Sequence, residues 1–261
     1  MSTWALRRQV LYVSVISICV IAAASIGGYE LFHHVPNCFD GVQNGDETGV
    51  DCGGSCLKIC PAQAVDPIVL WERIFPANTD QGFWAVVAEV ENPNTAASVK
   101  NIGYTFKVYD DQGVPIGEKS GFASIPANSI SPIYESYIPT GKHIPIRVTF
   151  QFTGLPEWQK IGSRVRNLSV SDQDIQNPTT TPRIVATLTN KGIQTEQDIE
   201  VVAIVYDAIG NAIASSRTVV DSLPKNASAP IAFTWRLPFV RPVSRVEIVP
   251  KYDPYIAAAN D

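Results

Sequence analysis

Basic residues are in short supply in this chain. Twenty Lys and Arg stand against 25 Asp and Glu, for a formal charge of −5. Nucleic-acid partners need a clustered basic surface to displace counterions from phosphate, so this balance argues against one. Charged residues of either sign make up only 17%, and there is a single methionine. That disfavours long charged helices. Histidines number three: His33, His34 and His143. No H-E-x-x-H, nucleophile elbow or Gly-rich phosphate loop occurs, and "TGKH" at Thr140–His143 lacks the Walker glycine spacing. A Ser-His-Asp arrangement would have to run through His143, which reads as a solvated residue in a turn leading into a strand. Glu72, Glu89, Glu91, Asp110 and Asp111 could meet in space as paired carboxylates, but sandwich surfaces carry such residues for solubility. Neither an enzyme nor a small-molecule substrate is therefore expected.

What the chain has is turn formers, 17 Gly and 19 Pro in 261 residues. It also has one long apolar run near its start. Val10 to Gly28 carries no charge over nineteen residues, close to the ~20 helical residues that cross a hydrocarbon core. Arg7 and Arg8 precede it. Glu30, Asp40, Asp46, Glu47 and Asp51 follow, before the next basic residue, Lys58. The positive-inside rule then predicts residues 1–9 in the cytoplasm, a transmembrane helix over 10–32 and everything after Tyr29 outside. "AAAS" at Ala22–Ser25 offers a signal-peptidase alternative. The apolar run continues through Ile26, Gly27 and Gly28 to Leu31 and Phe32, which favours an uncleaved anchor. Cys19 lies mid-helix as a packing residue.

Four of the five cysteines fall in "CFDGVQNGDETGVDCGGSCLKIC", a collar expected over residues 36–62. Outside the membrane, an even number of cysteines in a core-poor stretch reads as a disulfide framework. Residues 36–62 offer only Phe39, Val42, Val50, Leu57 and Ile59 as large apolar side chains. Two bridges among Cys38, Cys52, Cys56 and Cys60, worth ~2–4 kcal/mol each, would order the segment, with three pairings open. Zinc needs C-x-x-C knuckles that these spacings lack, and a thioredoxin-like dithiol or an iron–sulfur cluster fits no better. Asp40, Asn44, Asp46, Glu47 and Asp51, interleaved with glycines, are the hard oxygen ligands that calcium uses. They do not follow the EF-hand spacing, and Asp, Asn and Gly also make turns unaided. Calcium is the one cofactor the residues suggest.

Beyond Asp66 the pattern is period-2 strands separated by turns. Trp84, Val86, Ala88 and Val90 form one apolar face, ended by Asn92-Pro93-Asn94. Ile184, Ala186 and Leu188 form another, ended at Asn190. "IGYTFKVYDDQG" (Ile102–Gly113) is answered by "IEVVAIVYDAIG" (Ile199–Gly210), "SIPANS" by "SLPKNA" and "PIRVTFQF" by "VSRVEIVP". The offset is 97, then 98, so the chain carries an internal repeat. Each copy holds about six or seven strands, with "YDDQG" and "YDAIGN" as turns needing Gly at positive φ. The expected fold class is mainly β: two tandem Ig-like antiparallel sandwiches, over 66–155 and 162–253, with a tail at 254–261. "GLPEWQKIG" is read as a short junction that makes the pair semi-rigid.

The cysteine-rich run resembles a D-G-x-x-N-G-x-E-T-G-x-D-C-G-G-x-C motif of bacterial surface proteins. It matches at Cys38, Asp40, Gly41, Gln43, Asn44, Gly45, Glu47, Thr48, Gly49, Asp51, Cys52, Gly53, Gly54, Cys56 and Cys60. That resemblance implies a surface setting and no catalytic activity. "FKVYD" at Phe106–Asp110 and "VENPN" at Val90–Asn94 are similar to FxLYD-like and late embryogenesis abundant type 2-like sandwiches. The second copy keeps Val205, Tyr206 and Asp207 but departs at Ala203 and "TNKG". The resemblance implies an extracytoplasmic or interaction role, with no catalytic residues to carry over.

The expected function is a membrane-anchored, extracytoplasmic, non-enzymatic protein of the cell envelope. Its partners are the membrane, through the helix, and a protein on the sandwich surface. The alternatives are a calcium-dependent adhesive module and an extracytoplasmic enzyme. Most aromatics are expected in the core; Phe75, Trp158 or Phe239, if exposed, would mark the partner surface.

Overall fold

The structure, a computed structural model, describes residues 3–32, 37–160 and 167–251. The chain divides into two compact units, Met1–Cys56 and Leu57–Asp261. In the first, α1 runs Thr3–Phe32. Its stretch Arg7–Tyr29 is long and apolar enough to cross a membrane, and none of it is buried against protein. Thirty residues rising about 1.5 Å each reach about 45 Å, more than the ~30 Å hydrocarbon thickness. Within the helix, Ser14 donates to the Val10 carbonyl at 2.8 Å, and Arg8 lies over the Trp4 ring.

The second unit is built of antiparallel sheets. Its first half contains β1 (Ile68–Asn78), β2 (Phe83–Asn92), β3 (Ala97–Tyr109), β4 (Pro115–Ile125), β5 (Ser129–Pro139), β6 (Arg147–Thr153) and β7 (Glu157–Lys160). The pairing orders are β1-β2-β5 and β4-β3-β6, with β7 also on β3. The second half contains β8 (Leu168–Gln176), β9 (Arg183–Asn190), β10 (Glu196–Tyr206), β11 (Ala212–Leu223), β12 (Ser228–Thr234) and β13 (Arg245–Lys251). Its orders are β12-β9-β8 and β11-β10-β13. Each half is thus a two-sheet sandwich, and the mainly β, tandem expectation holds.

Period-2 alternation sends the expected side chains inward. Val86, Ala88 and Val90 meet Ile102, Tyr104, Phe106 and Val108 in the first core. Ile184, Ala186 and Leu188 meet Ile199, Val201, Ala203 and Val205 in the second. Trp84 is only partly buried. The turns after β3 and β10 take the anticipated form, with Gly113 at φ 77° and Gly210 at φ 82°. Asp110 and Asp207 hold them by accepting from main-chain N–H groups two and four residues on.

Two features differ from the sequence reading. The described part of "GLPEWQKIG" is not a junction. Its residues Glu157–Lys160 form β7, which pairs with Ala97–Lys100 of β3. Trp158 is 1% exposed in the first core. The first sandwich therefore extends past residue 155 to Lys160, because an indole in the core ties the segment down. Second, β2 and β10 are buried on both faces. Their outward residues Ala85 and Val87, and Val202, Ile204 and Tyr206, form a third core with Phe75, Tyr134 and Ala212. The β1-β2-β5 sheet of the first sandwich packs there on the β11-β10-β13 sheet of the second.

Candidate functional site

Four large apolar side chains of the cysteine-rich run point outward: Phe39, Val42, Val50 and Leu57 are all more than half exposed. Apart from Ile59, which packs on the first core, the large apolar side chains contribute little burial, so covalent and polar bonds carry the order. Cys38 and Cys56 form a disulfide, and Cys52 and Cys60 are disulfide-bonded as well. Cys19, in α1, is a free thiol.

The acidic side chains fold inward on the chain's own amides. Asp51 accepts from the N–H groups of Asp40 and Gly41 at 3.0–3.1 Å. Asp40 accepts from Val42 N–H at 2.9 Å and from the Asn44 amide at 2.7 Å. Glu47, 9% exposed, accepts from the N–H groups of Asn44 and Asp51. Asp46 accepts from Ser55 Oγ at 2.8 Å. Gly54 sits at φ 52°, where a Cβ would collide with the Asp46 carbonyl, so the turn demands glycine. Of the five residues proposed as calcium ligands, Asp40, Asn44, Glu47 and Asp51 are brought into one hydrogen-bonded network, and Asp46 turns to Ser55. Each carboxylate is already partnered within the chain. Asn44 Oδ1 is buried without a donor.

Among the described residues, Cys38, Glu47 and Cys56 are the one close grouping of metal-ligating atom types. Glu47 Oε1 lies 3.2 Å from Cys56 Sγ. Both sulfurs belong to the disulfide, so neither is a thiolate ligand.

The candidate catalytic residues lie apart in role. His143 is exposed, and its main chain closes the turn with Thr140. Asp110 holds its own turn. Glu89 sits at the seam between the sandwiches, accepting from Trp71 Nε1 at 2.6 Å and, at 3.5 Å, from Tyr206 Oη. Burial raises its carboxyl above the ordinary value; the Trp71 bond opposes this and nearby Glu247 adds to it. Burial likewise raises the Tyr134 hydroxyl to about 12. His33 and His34 lie outside the described residues.

Tyr104, Phe106, Tyr134, Tyr206 and Phe233 are buried, whereas Phe39, Phe122 and Tyr137 are exposed. Phe75 and Trp158 are buried and so do not form a partner surface. Phe239 is half-buried, edge-on to Trp235 at 5.1 Å.

Two asparagines at strand ends are buried pins. Asn92 donates to the carbonyls of Ala97, Ile125 and Pro126. Asn190 donates to those of Gln194 and Leu223. Both are 0% exposed. The signal lay in their position: a polar side chain on the apolar face of a strand must find partners. No family model and no curated protein matches this chain.

Proposed function

We propose that the chain is a membrane-anchored, extracytoplasmic, non-enzymatic module whose paired sandwiches present a binding surface at the cell envelope. The observation that carries this reading is the succession of an apolar helix with no protein packed on it and a disulfide-bonded segment. Disulfides persist in oxidising compartments, and the charge asymmetry around Arg7 and Arg8 orients the helix the same way. The two halves derive from one duplicated sandwich, consistent with the shared sequence offsets and the matching Asn92 and Asn190 pins. A non-enzymatic role accords with His143 in an exposed turn and with Asp110 holding its own turn.

Protease digestion of intact cells tests the arrangement. External protease removes residues beyond the collar while leaving an N-terminal tag protected, and the anchor stays in carbonate-washed membranes. A tag that is digested, or a chain that leaves the membrane, overturns it.

A calcium-dependent version of the same module is the second reading, favoured by the buried, unpartnered Asn44 Oδ1. Melting of the full chain with millimolar calcium and with chelator decides it. Calcium must raise the melting temperature, and Asp51→Asn must abolish the rise.

A further inference from the structure

A cleft of about 710 Å³ opens where the two sandwiches meet. That size is within the roughly 300–1,000 Å³ of ligand sites. Its walls include runs of consecutive residues, 72–76 in β1, 146–148 entering β6 and 211–214 entering β11, and the non-strand run 237–241 completes them. A sheet face presents every second residue, so the consecutive residues of β1, β6 and β11 mark strand edges. β1, β6 and β11 are each the terminal strand of their sheet. Edge strands carry main-chain donors and acceptors on which an extended chain can add.

The cleft is also where cations gather in a chain of net charge −5. Arg73, Arg147 and Arg241 line it against a single carboxylate, Glu72. Asp207 holds Arg241 at 2.8 Å. Arg147 lies over the Tyr109 ring at 4.2 Å, and Arg73 makes a 3.3 Å bond to Asn211 Oδ1. Arg73 and Arg147 are both exposed and carry no carboxylate partner in these contacts. The floor is apolar, with Phe75 and Val148 buried, and Val240 at the rim is 79% exposed.

We propose that this cleft binds an extended acidic peptide segment of a partner protein. The peptide's main chain adds to an exposed strand edge. Its carboxylates meet Arg73 and Arg147, and the apolar side chains between them lie on the Phe75 and Val240 side. Guanidinium groups pair with carboxylates in planar, two-bond geometry. Two available guanidiniums suit one or two carboxylates, whereas a phosphate polymer needs a longer basic track. The assignment rests on the binding-module reading and names the site and ligand class of that module.

The test uses the detergent-solubilised full chain and three pools of fluorescein-labelled hexapeptides: alternating apolar with Asp/Glu, with Asn/Gln and with Lys. Fluorescence anisotropy should show binding of the acidic pool alone, weakening with salt. Arg73→Gln with Arg147→Gln should weaken it about tenfold or more, the loss of roughly one charge-assisted pair. An unchanged melting curve of that variant excludes unfolding. Binding that ignores peptide charge or survives the double substitution overturns the proposal, as does failure of the acidic pool at millimolar concentration. So does arginine-dependent binding to phosphatidylglycerol vesicles without peptide binding. None of these outcomes alters the protease-protection result, so failure here and failure of the anchored-module reading are separable.

Discussion

Asn92 and Asn190 show how much one polar side chain can hold. Each sits at the end of an inward-facing row, fully buried, and spends its amide on carbonyls of two neighbouring segments. Asn92 Oδ1 accepts from Asn94 N–H, and Asn190 Oδ1 from Gly192 N–H. Truncation leaves several buried acceptors unpaired, at roughly 1–3 kcal/mol for such a group. Asn92→Ala and Asn190→Ala are each expected to cost about 2–4 kcal/mol in urea denaturation on this basis. A cost below that of a surface substitution would show that water replaces the amide. Glu89 makes a pH-dependent counterpart. Burial raises its carboxyl above 4.5 despite the Trp71 hydrogen bond, so the folded state binds the proton more tightly than the unfolded chain. Its stabilising contribution is complete below about the ordinary value and is lost as pH rises through the higher folded value. Glu89→Gln removes that dependence. The variant's melting temperature relative to the parent should therefore climb between pH 4 and pH 7; a flat or falling difference refutes the assignment.

At the scale of the element, β7 and the residues before the first sandwich depend on each other. Ile59 N–H donates to the Trp158 carbonyl at 3.0 Å, and Lys160 N–H donates to the Leu57 carbonyl at 2.8 Å. Trp158→Ala empties the largest fully buried side chain, a change worth about 3–5 kcal/mol. It should also release the Ile59 amide to hydrogen exchange. Retained protection at Ile59 would mean that β7 is held by its pairing with β3 alone. Four residues, three of them charged or amide, show no periodicity above noise, so this strand is not legible in the sequence. The longer strands were legible for the opposite reason: Ile102–Val108 and Ile199–Val205 alternate over enough positions to identify a face. Their turns were legible too, since Asp110 with Gly113 and Asp207 with Gly210 combine an Asx acceptor with a residue able to take positive φ. In the cysteine-rich run the residue types were readable as ligands or turn formers. Which of the two they serve depends on where each carboxylate points, and a list of acidic residues does not contain that direction.

On the scale of the whole molecule, the third core joins the two sandwiches through a shared buried cluster, and the sequence carries its signal. "VVA" at Val86–Ala88 and "VVAIVY" at Val201–Tyr206 are continuous apolar runs, the mark of strands buried on both faces. The outward face of β3 shows the contrast. Thr105 and Lys107, opposite Val202 and Ile204 at the sequence offset of 97, stay polar. Thr105 bonds Ser120 at 2.7 Å and Lys107 pairs with Glu118 at 3.7 Å. Of the two equivalent strands, only β10, whose sheet packs on the neighbouring sandwich, carries apolar residues there. Val87, Val202 and Ile204 are each 0% exposed, so a carboxylate at any of them is buried without a partner, costing several kcal/mol. That penalty falls on the contact between the sandwiches and leaves the first and second cores intact. Calorimetry of the full chain in detergent should therefore show one transition for the pair, and Val202→Asp should split it in two. Val87→Asp, on the opposing sheet, should do the same from the other side. A single transition that merely shifts downward in both variants would mean that neither sandwich stands without the other.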